Sequence, residues 1–183
     1  MSVNFNLVLC LAGKGSRFTA KGYKTPKYLL EFTNNKSILE NIIDELFDDK
    51  TGQLILVNNI ENYKWSPAIE TMLEFKNLRY EIHHVSDTKG QAHTAEIASK
   101  FVKNDKPLFF FNGDTILKKR DLNKISSIME LQNYSGMIDT FYATEHHFSF
   151  VKTKDNMVTE IAEKVPISSM ATTGLYGFRS ADI

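Results

Sequence analysis

The chain has 183 residues, of which 42% are hydrophobic, a length and composition that fit one globular domain. It carries 22 Lys and Arg against 22 Asp and Glu, so no overall field attracts nucleic acid or an anionic membrane. The only cysteine, Cys10, cannot form an intramolecular disulfide, and the apolar run around it is too short to span a membrane and poorly flanked for a signal peptide. We therefore expect one cytoplasmic domain, residues 1–183, with neither nucleic acid nor membrane as a partner.

Strands and helices alternate along most of the chain. Three apolar runs with few polar interruptions, NLVLCLA, QLILVNN and PLFFFNGD, are typical of parallel strands that are covered on both faces. Longer segments with helical period separate these runs. The alternation predicts an α/β fold.

Four helices are predicted, and three of them carry a start signal. Ser37 and Glu40 form a capping box before the apolar stripe of residues 37–47. A second helix begins at Ser66 with Pro67 in its first turn. The third and fourth helices cover QAHTAEIASKFV and DLNKISSIMELQ, the latter with Asp121 as its cap.

The pattern changes after Gly136. The segments GMIDTFYA, FSFVKTKDNMVTEIAE and TTGLYGF read as closely spaced strands, with a turn at KTKDN. The spacing leaves no room for crossover helices, so we expect the sheet to become mixed at its later edge.

A glycine loop, LAGKGSRF, follows the first apolar run. Lys14 comes directly after Gly13 and is followed by glycine, which excludes a Walker loop, and Phe18 stands where a dinucleotide fingerprint requires its third glycine. What remains is a loop whose backbone amides approach an anion closely, with Arg17 as a bidentate phosphate donor and Lys27 as a point charge. The alternative is a simple turn with solvated cations.

A second motif, FFFNGDT, places Asp114 just past the carboxyl end of a very apolar strand. Open α/β sheets bind their ligands at this position. A carboxylate there suits Mg²⁺, which binds through one or two carboxylates and substrate phosphates. The alternative is a tight turn at the Asn-Gly dipeptide.

With both motifs, the chain resembles the sugar-phosphate nucleotidylyltransferases, including members of the bacterial capsule or surface-polysaccharide type. The matching pieces occur in the family's order: LAGKGSRF, TPKYLLEF, the helix after Ser37, GQAHTAEIA, FFFNGDT, EKVP and TTGLYGF. The resemblance implies a Rossmann-like three-layer sandwich with a mostly parallel, partly mixed sheet. It also implies transfer of a nucleoside monophosphate from an NTP to a phosphorylated acceptor, a sugar 1-phosphate by default, with Mg²⁺ as cofactor and release of pyrophosphate.

The same resemblance implies roles for individual residues. Arg17 and Lys27 match catalytic cations, and Asp114 matches a metal ligand. The residues that match nucleotide-contacting positions are Leu11, Ala12, Gly13, Gly15, Ser16, Gly90 and Gln91. Those that match acceptor-binding positions are Asn112, Glu163, Lys164, Thr173 and Gly174, with Lys164 opposite the acceptor's phosphate.

The chain departs from the family pattern at three places. Tyr28 follows Lys27 where the family has proline, and Val165 separates Lys164 from the next proline. The family's second metal aspartate lies well beyond TTGLYGF, and Asp182 is too close to that strand to replace it. We therefore expect the chain to lack the family's C-terminal portion.

Several functions stay open at this level. One is a CTP-dependent cytidylyltransferase that acts on a non-sugar phosphorylated metabolite, and another is a catalytically silent, nucleotide-binding regulatory subunit. A glycosyltransferase is less favoured, because no Asp-x-Asp follows a strand. The base, the acceptor and a homo-oligomeric state are not encoded in a readable pattern.

Overall fold

The computed structural model describes residues 4–47 and 51–181, so Asp182 lies outside the described residues. Within them the chain forms ten strands and five helices. The first half contains β1 (Phe5–Leu11), α1 (Ser16–Thr19), β2 (Glu31–Thr33), β3 (Lys36–Ser37), α2 (Ile38–Leu46), β4 (Gly52–Asn59), α3 (Ser66–Phe75) and β5 (Tyr80–Val85). The second half contains α4 (Gln91–Ser99), β6 (Leu108–Asn112), α5 (Leu122–Leu131), β7 (Gly136–Tyr142), β8 (Ser149–Lys154), β9 (Met157–Glu163) and β10 (Met170–Phe178).

Eight of these strands form one sheet in the order β5-β4-β1-β6-β10-β8-β9, with β7 also paired to β10. The strands β5, β4, β1 and β6 run parallel to one another, whereas β10 is antiparallel to β6, β7 and β8. The predicted change to a mixed sheet is confirmed. The strands β2 and β3 form a separate hairpin.

The parallel strands β1, β4 and β6 are buried on both faces, which explains their continuous apolar runs, whereas the edge strand β5 is half-buried. Along β1, Leu7, Leu9 and Leu11 pack with residues of α2, α3 and α5, while Val8 packs on the opposite face with Ala98 of α4. Helices therefore cover both faces of the sheet, and the predicted three-layer sandwich is confirmed.

The predicted helix starts are confirmed, and side-chain caps mark those of α2 and α5. Ser37 Oγ accepts from the Glu40 amide, and the Glu40 carboxylate accepts from the Ser37 amide. Asp121 Oδ1 accepts from the Lys124 amide at 3.0 Å, and Pro67 lies in the first turn of α3. The third helix was predicted to extend to residue 102 but ends at Ser99, because α4 buries only two of its side chains and has no apolar stripe that would prolong it.

The sheet forks at β10. On one edge β10 pairs with β7 along its length, with a bulge between Thr172 and Tyr176. On the other edge Tyr176 pairs with β6, whereas Ala171 pairs with β8. The strands β6 and β8 thus share one edge of β10 and part from each other at the bulge, which opens a space between them.

Candidate active site

The glycine loop connects β1 to the one-turn helix α1. Residues 12–15 have no regular structure, and Gly15 adopts φ 59°, a left-handed conformation that favours glycine, with open space where a side chain would be. Gly13, Ser16 and Arg17 are exposed, while Leu11 and Ala12 are buried at the base of the loop. The loop therefore has exposed polar residues next to a buried apolar base.

Lys27 follows Pro26 in a short 3-10 turn over residues 27–29. Its Nζ lies 2.9 Å from Asp114 Oδ2 and 5.2 Å from the centre of the Phe18 ring, which is next to Arg17. The turn thus brings Lys27 against Asp114 and beside α1, the helix that carries Arg17. We call Arg17, Lys27 and Asp114 the charged corner.

Tyr28, the departure from the family pattern, anchors this turn from below. Its side chain is 5% exposed, and its hydroxyl donates to Asn58 Oδ1 at 2.7 Å inside the protein. Burial raises the pKa of Tyr28, so the phenol stays protonated and remains a donor. The tyrosine therefore fixes the backbone that carries Lys27.

Asp114 lies two residues beyond the end of β6, as predicted. Its carboxylate is partly exposed, and besides Lys27 it accepts a long hydrogen bond of 3.4 Å from Thr115 Oγ1. Among residues 4–47 and 51–181 there is no group of three or more His, Cys, Asp or Glu that could hold a metal ion by itself. Any metal here would need most of its ligands from substrate and water.

A further ion pair joins the glycine loop to the loop after β5, and the sequence did not predict it. Lys14 forms an ion pair with Asp87, and Asn59 donates to Asp87 Oδ1 at 3.1 Å and to the Ala12 carbonyl at 3.4 Å. Hydrogen bonds from Lys14 and then Asn59 lower the pKa of Asp87. Only the order β1-β4-β5 brings these residues together, and no local pattern reveals it.

A cleft of about 840 Å³ lies at the fork of the sheet. The N-terminus of α4 forms one wall, where Gln91 donates to the Gly174 carbonyl at 3.0 Å. The acceptor-binding and second-loop positions that line the cleft are Gly90, Gln91, Asn112, Glu163, Thr173 and Gly174. Its apolar and aromatic walls come from Ala95, Phe110, Leu117, Phe141, Phe148, Tyr176 and Phe178.

Gly174 sits at the bulge of β10 with φ 89°. A Cβ atom at this position would lie 2.9 Å from Asn112 Nδ2, so both the backbone conformation and the close approach require glycine. Asn112 Oδ1 is buried and has no hydrogen-bond partner among the described residues. An unsatisfied buried acceptor in a cleft wall is a place where a ligand donor can be received.

Lys164 differs from the other predicted acceptor residues. It follows β9 with φ 57°, its side chain is 67% exposed, and its Nζ lies 3.1 Å from Glu163 Oε1. It is not among the residues that line the cleft. The residues of the charged corner also lie outside this cleft, which adjoins them through the turn from Asn112 to Asp114.

None of the helices in the described part of the chain is long and apolar enough to cross a membrane.

Comparison with known proteins supports the fold and identifies the family of the chain. A family model described as nucleotidyl transferase matches residues 7–181. A nucleoside-diphosphate-sugar pyrophosphorylase from Vibrio cholerae RC9 is similar in structure, with 26% identity, a TM-score of 0.79, and coverage of 95% of this chain and 73% of that one. No curated protein sequence matches the chain.

Two further solved structures share the fold. A protein assigned as a glucose-1-phosphate thymidylyltransferase from Bacillus anthracis, in complex with a sucrose, has 17% identity, a TM-score of 0.81, and coverage of 97% of this chain and 72% of that one. A UDP-glucose pyrophosphorylase complexed with UDP-glucose has 14% identity, a TM-score of 0.78, and coverage of 98% and 76%. Because the family model matches more than half of the chain, the chain belongs to the nucleotidyl transferase family.

Proposed function

We propose that the protein transfers a nucleoside monophosphate from an NTP to a phosphorylated acceptor, by default a sugar 1-phosphate, and releases pyrophosphate. The observation that carries this proposal is the charged corner, where Lys27 lies 2.9 Å from Asp114 beside the glycine loop and next to a cleft of about 840 Å³. Family membership supports the reaction class. The pyrophosphorylase from Vibrio cholerae, named for nucleoside-diphosphate sugars, supports a sugar phosphate as acceptor.

In this proposal the nucleotide occupies the glycine-loop side. The base lies against Leu11, Ala12 and Gly13 and meets the second loop at Gly90 and Gln91. Backbone amides of Gly15 and Ser16 and the side chains of Arg17 and Lys27 hold the triphosphate, because guanidinium and ammonium groups are strong phosphate donors. Arg17 is suited to this role, since it is exposed and has no hydrogen bond or ion pair with the described residues.

The acceptor occupies the cleft, with Asn112, Glu163, Thr173 and Gly174 around its body and Lys164 at the rim. One phosphate oxygen of the acceptor attacks the α-phosphorus, a new P–O bond forms, and the bond to pyrophosphate breaks on the opposite side. The attacking oxygen is already an anion, so no general base is needed. The protein lowers the barrier by positioning the reactants and by placing fixed cations around the developing charge.

Mg²⁺ fits this site as a cofactor that arrives with the triphosphate. Asp114 would hold it as a single carboxylate ligand, with the remaining ligands from phosphates and water, which is how Mg²⁺ usually binds. When bound, it would neutralise phosphate charge near the α-phosphorus. Lys27 keeps the Asp114 carboxylate in place through its ion pair and carries charge of its own to the phosphates.

We also propose that the protein works in the cytoplasm, where NTPs are available. The decisive experiment combines a thermal-shift panel of ATP, CTP, GTP, UTP and dTTP with a pyrophosphate-release assay on glucose 1-phosphate and on glycerol 3-phosphate. A ligand that binds the folded state raises Tm by mass action, so the panel identifies the base independently of turnover. We expect release that depends on one NTP, one acceptor and Mg²⁺, and that falls about a hundredfold or more in Asp114→Asn.

Asp155→Asn is the matched control, because Asp155 is an exposed turn residue between β8 and β9. Its release rate should equal that of the wild type. Wild-type activity in Asp114→Asn would contradict the assignment of Asp114 as a metal ligand. A rise in Tm with one NTP but no release with either acceptor would favour a regulatory nucleotide-binding protein instead.

A further inference from the structure

Another charged pair lies at the cleft, between the loop that follows Asp114 and strand β7. Arg120 Nε donates to Asp139 Oδ1 at 2.8 Å, and Arg120 Nη2 donates to Asp139 Oδ2 at 3.2 Å. Arg120 Nη1 also donates to the Lys118 carbonyl at 3.1 Å. This two-pronged contact fixes the plane and the direction of the guanidinium.

The pair is costly to bury. The Asp139 side chain is 13% exposed and that of Arg120 is 31% exposed, so both groups have lost much of their water. Replacement of such a pair by apolar residues often leaves stability unchanged or improved, so stability alone is a weak reason for its presence. The arrangement points to a use for the guanidinium.

Arg120 still has hydrogen-bonding capacity. A guanidinium has five N–H groups, and three of them are used by Asp139 and Lys118. The other two have no hydrogen-bond partner among the residues that the structure describes. Arg120 lines the cleft, whereas Asp139 does not, so the arginine is the member of the pair that a ligand can reach.

Arg120 also differs from the other charged residues around the cleft. Of the charged side chains that line it in the described part of the chain, Lys89 and Glu163 are exposed, and only Arg120 is partly buried. Lys164 lies outside the lining and pairs with Glu163. A phosphomonoester that enters the cleft brings between one and two negative charges at neutral pH, and Arg120 is the cation already fixed to receive them.

We propose that Arg120 binds an anionic oxygen of the phosphorylated acceptor, and that Asp139 is a positioning residue that holds the guanidinium for this contact. The inference rests on the proposed function for the identity of the cleft's occupant. It assigns acceptor recognition to a residue pair on the loop after Asp114 and on β7, in addition to the residues near β9 and β10.

The test compares three variants of the full chain. The double variant Arg120→Met with Asp139→Leu removes the pair without leaving one charge buried, so it is expected to fold with a Tm near that of the wild type. The single variant Arg120→Lys keeps a charge but loses the two-pronged geometry. The control is Lys152→Met with Glu160→Leu, which removes an exposed ion pair between β8 and β9 and causes the same change in net charge.

Binding of glucose 1-phosphate and of glycerol 3-phosphate is measured by calorimetric titration, and pyrophosphate release supplies KM for NTP and acceptor separately. We expect the double variant to lose tenfold or more in affinity for the phosphomonoester that the wild type binds, with KM for the NTP unchanged. The affinity of Arg120→Lys for the phosphomonoester should lie between those of the double variant and the wild type. The affinity of the control should equal that of the wild type.

Wild-type affinity in the double variant would overturn the inference, and so would a wild type that binds neither phosphomonoester. Normal turnover with an unchanged acceptor KM in the double variant would overturn it while leaving the proposed function intact. Loss of phosphomonoester binding in the double variant, without turnover in any protein, would support the inference and overturn the proposed function.

Discussion

The charged corner and the cleft share the turn from Asn112 to Asp114, yet they are built differently. The corner consists of exposed or partly exposed charged side chains on short turns, and it depends on one buried anchor, the hydrogen bond from Tyr28 to Asn58. The cleft is walled by aromatic side chains and by β10, and the partly buried guanidinium of Arg120 in its lining is fixed by Asp139. In the proposed function, the corner serves chemistry common to all phosphates, whereas the cleft selects one acceptor.

The strongest test of this contrast is Lys27→Met. Loss of a fixed cation near the α-phosphorus should lower kcat by about a hundredfold or more, because several kcal/mol of transition-state stabilisation disappear. Pyrophosphate release under saturating NTP measures the effect. Lys21→Met is the matched control, since Lys21 is an exposed lysine close to the same loop. Equal rates in both variants would contradict a catalytic role for the corner.

The variant Gly174→Ala tests the wall of the cleft. The new Cβ atom would meet Asn112 Nδ2 at 2.9 Å and would impose a left-handed conformation on alanine. We expect KM for the acceptor to rise about tenfold, and the free energy of unfolding to fall by about 1–2 kcal/mol from the backbone conformation alone, with a further cost from the contact.

Gly22→Ala is its control, because Gly22 has φ 85° with open space around it. This variant carries the backbone cost without the clash. Denaturant titration should therefore place it between the wild type and Gly174→Ala, and its KM for the acceptor should not change. The same loss of stability in both glycine variants would show that Asn112 moves aside freely.

Tyr28→Phe tests the anchor below the corner. The variant leaves Asn58 Oδ1 buried without its donor, which should lower the free energy of unfolding by about 1–3 kcal/mol. Because Lys27 itself remains, we expect only a few-fold decrease in kcat. Tyr23→Phe, at a half-exposed tyrosine, should leave both quantities unchanged. A full loss of turnover at unchanged stability would place Tyr28 in the chemistry instead.

The smallest effect is expected from Asp87→Asn. The ion pair with Lys14 is exposed, and exposed pairs contribute little to stability. Its contribution is present above the ordinary pKa of an aspartate and is lost as pH falls through the lowered pKa of Asp87. The change in Tm should therefore be small at pH 7, smaller still at high salt, and absent at the acid end of a pH series. A large shift in Tm that salt does not reduce would contradict this reading.

Much of the fold could be predicted from the sequence because its signals are local. The capping box of Ser37 and Glu40, the cap at Asp121 and the apolar runs of β1, β4 and β6 each report structure within a few residues. The structure around the glycine loop was harder to predict from the sequence. Helix α1 has only four residues and buries none of them, and the β2–β3 hairpin is largely exposed, so neither produces a periodic pattern.

The candidate site, like the fold, was predictable where a local motif marks its residues. The roles proposed for Arg17, Lys27 and Asp114 remain predictions. Lys27 and Asp114 meet because each lies in a local motif, one in a turn and the other just after a strand. The pair of Arg120 and Asp139 joins residues on separate elements, as does the contact of Lys14 with Asp87. Side chains that meet only through tertiary structure leave no spacing in the sequence.

The fork at β10 divides the sheet into a parallel half and an antiparallel half. Strands β5, β4, β1 and β6 support the glycine loop and Asp114, and their packing does not involve residues 143–148 between β7 and β8. That connecting loop contributes His147 and Phe148 to the cleft. Its length and composition can therefore change without disturbing the parallel half, which makes it the natural segment to exchange when a different acceptor preference is to be engineered.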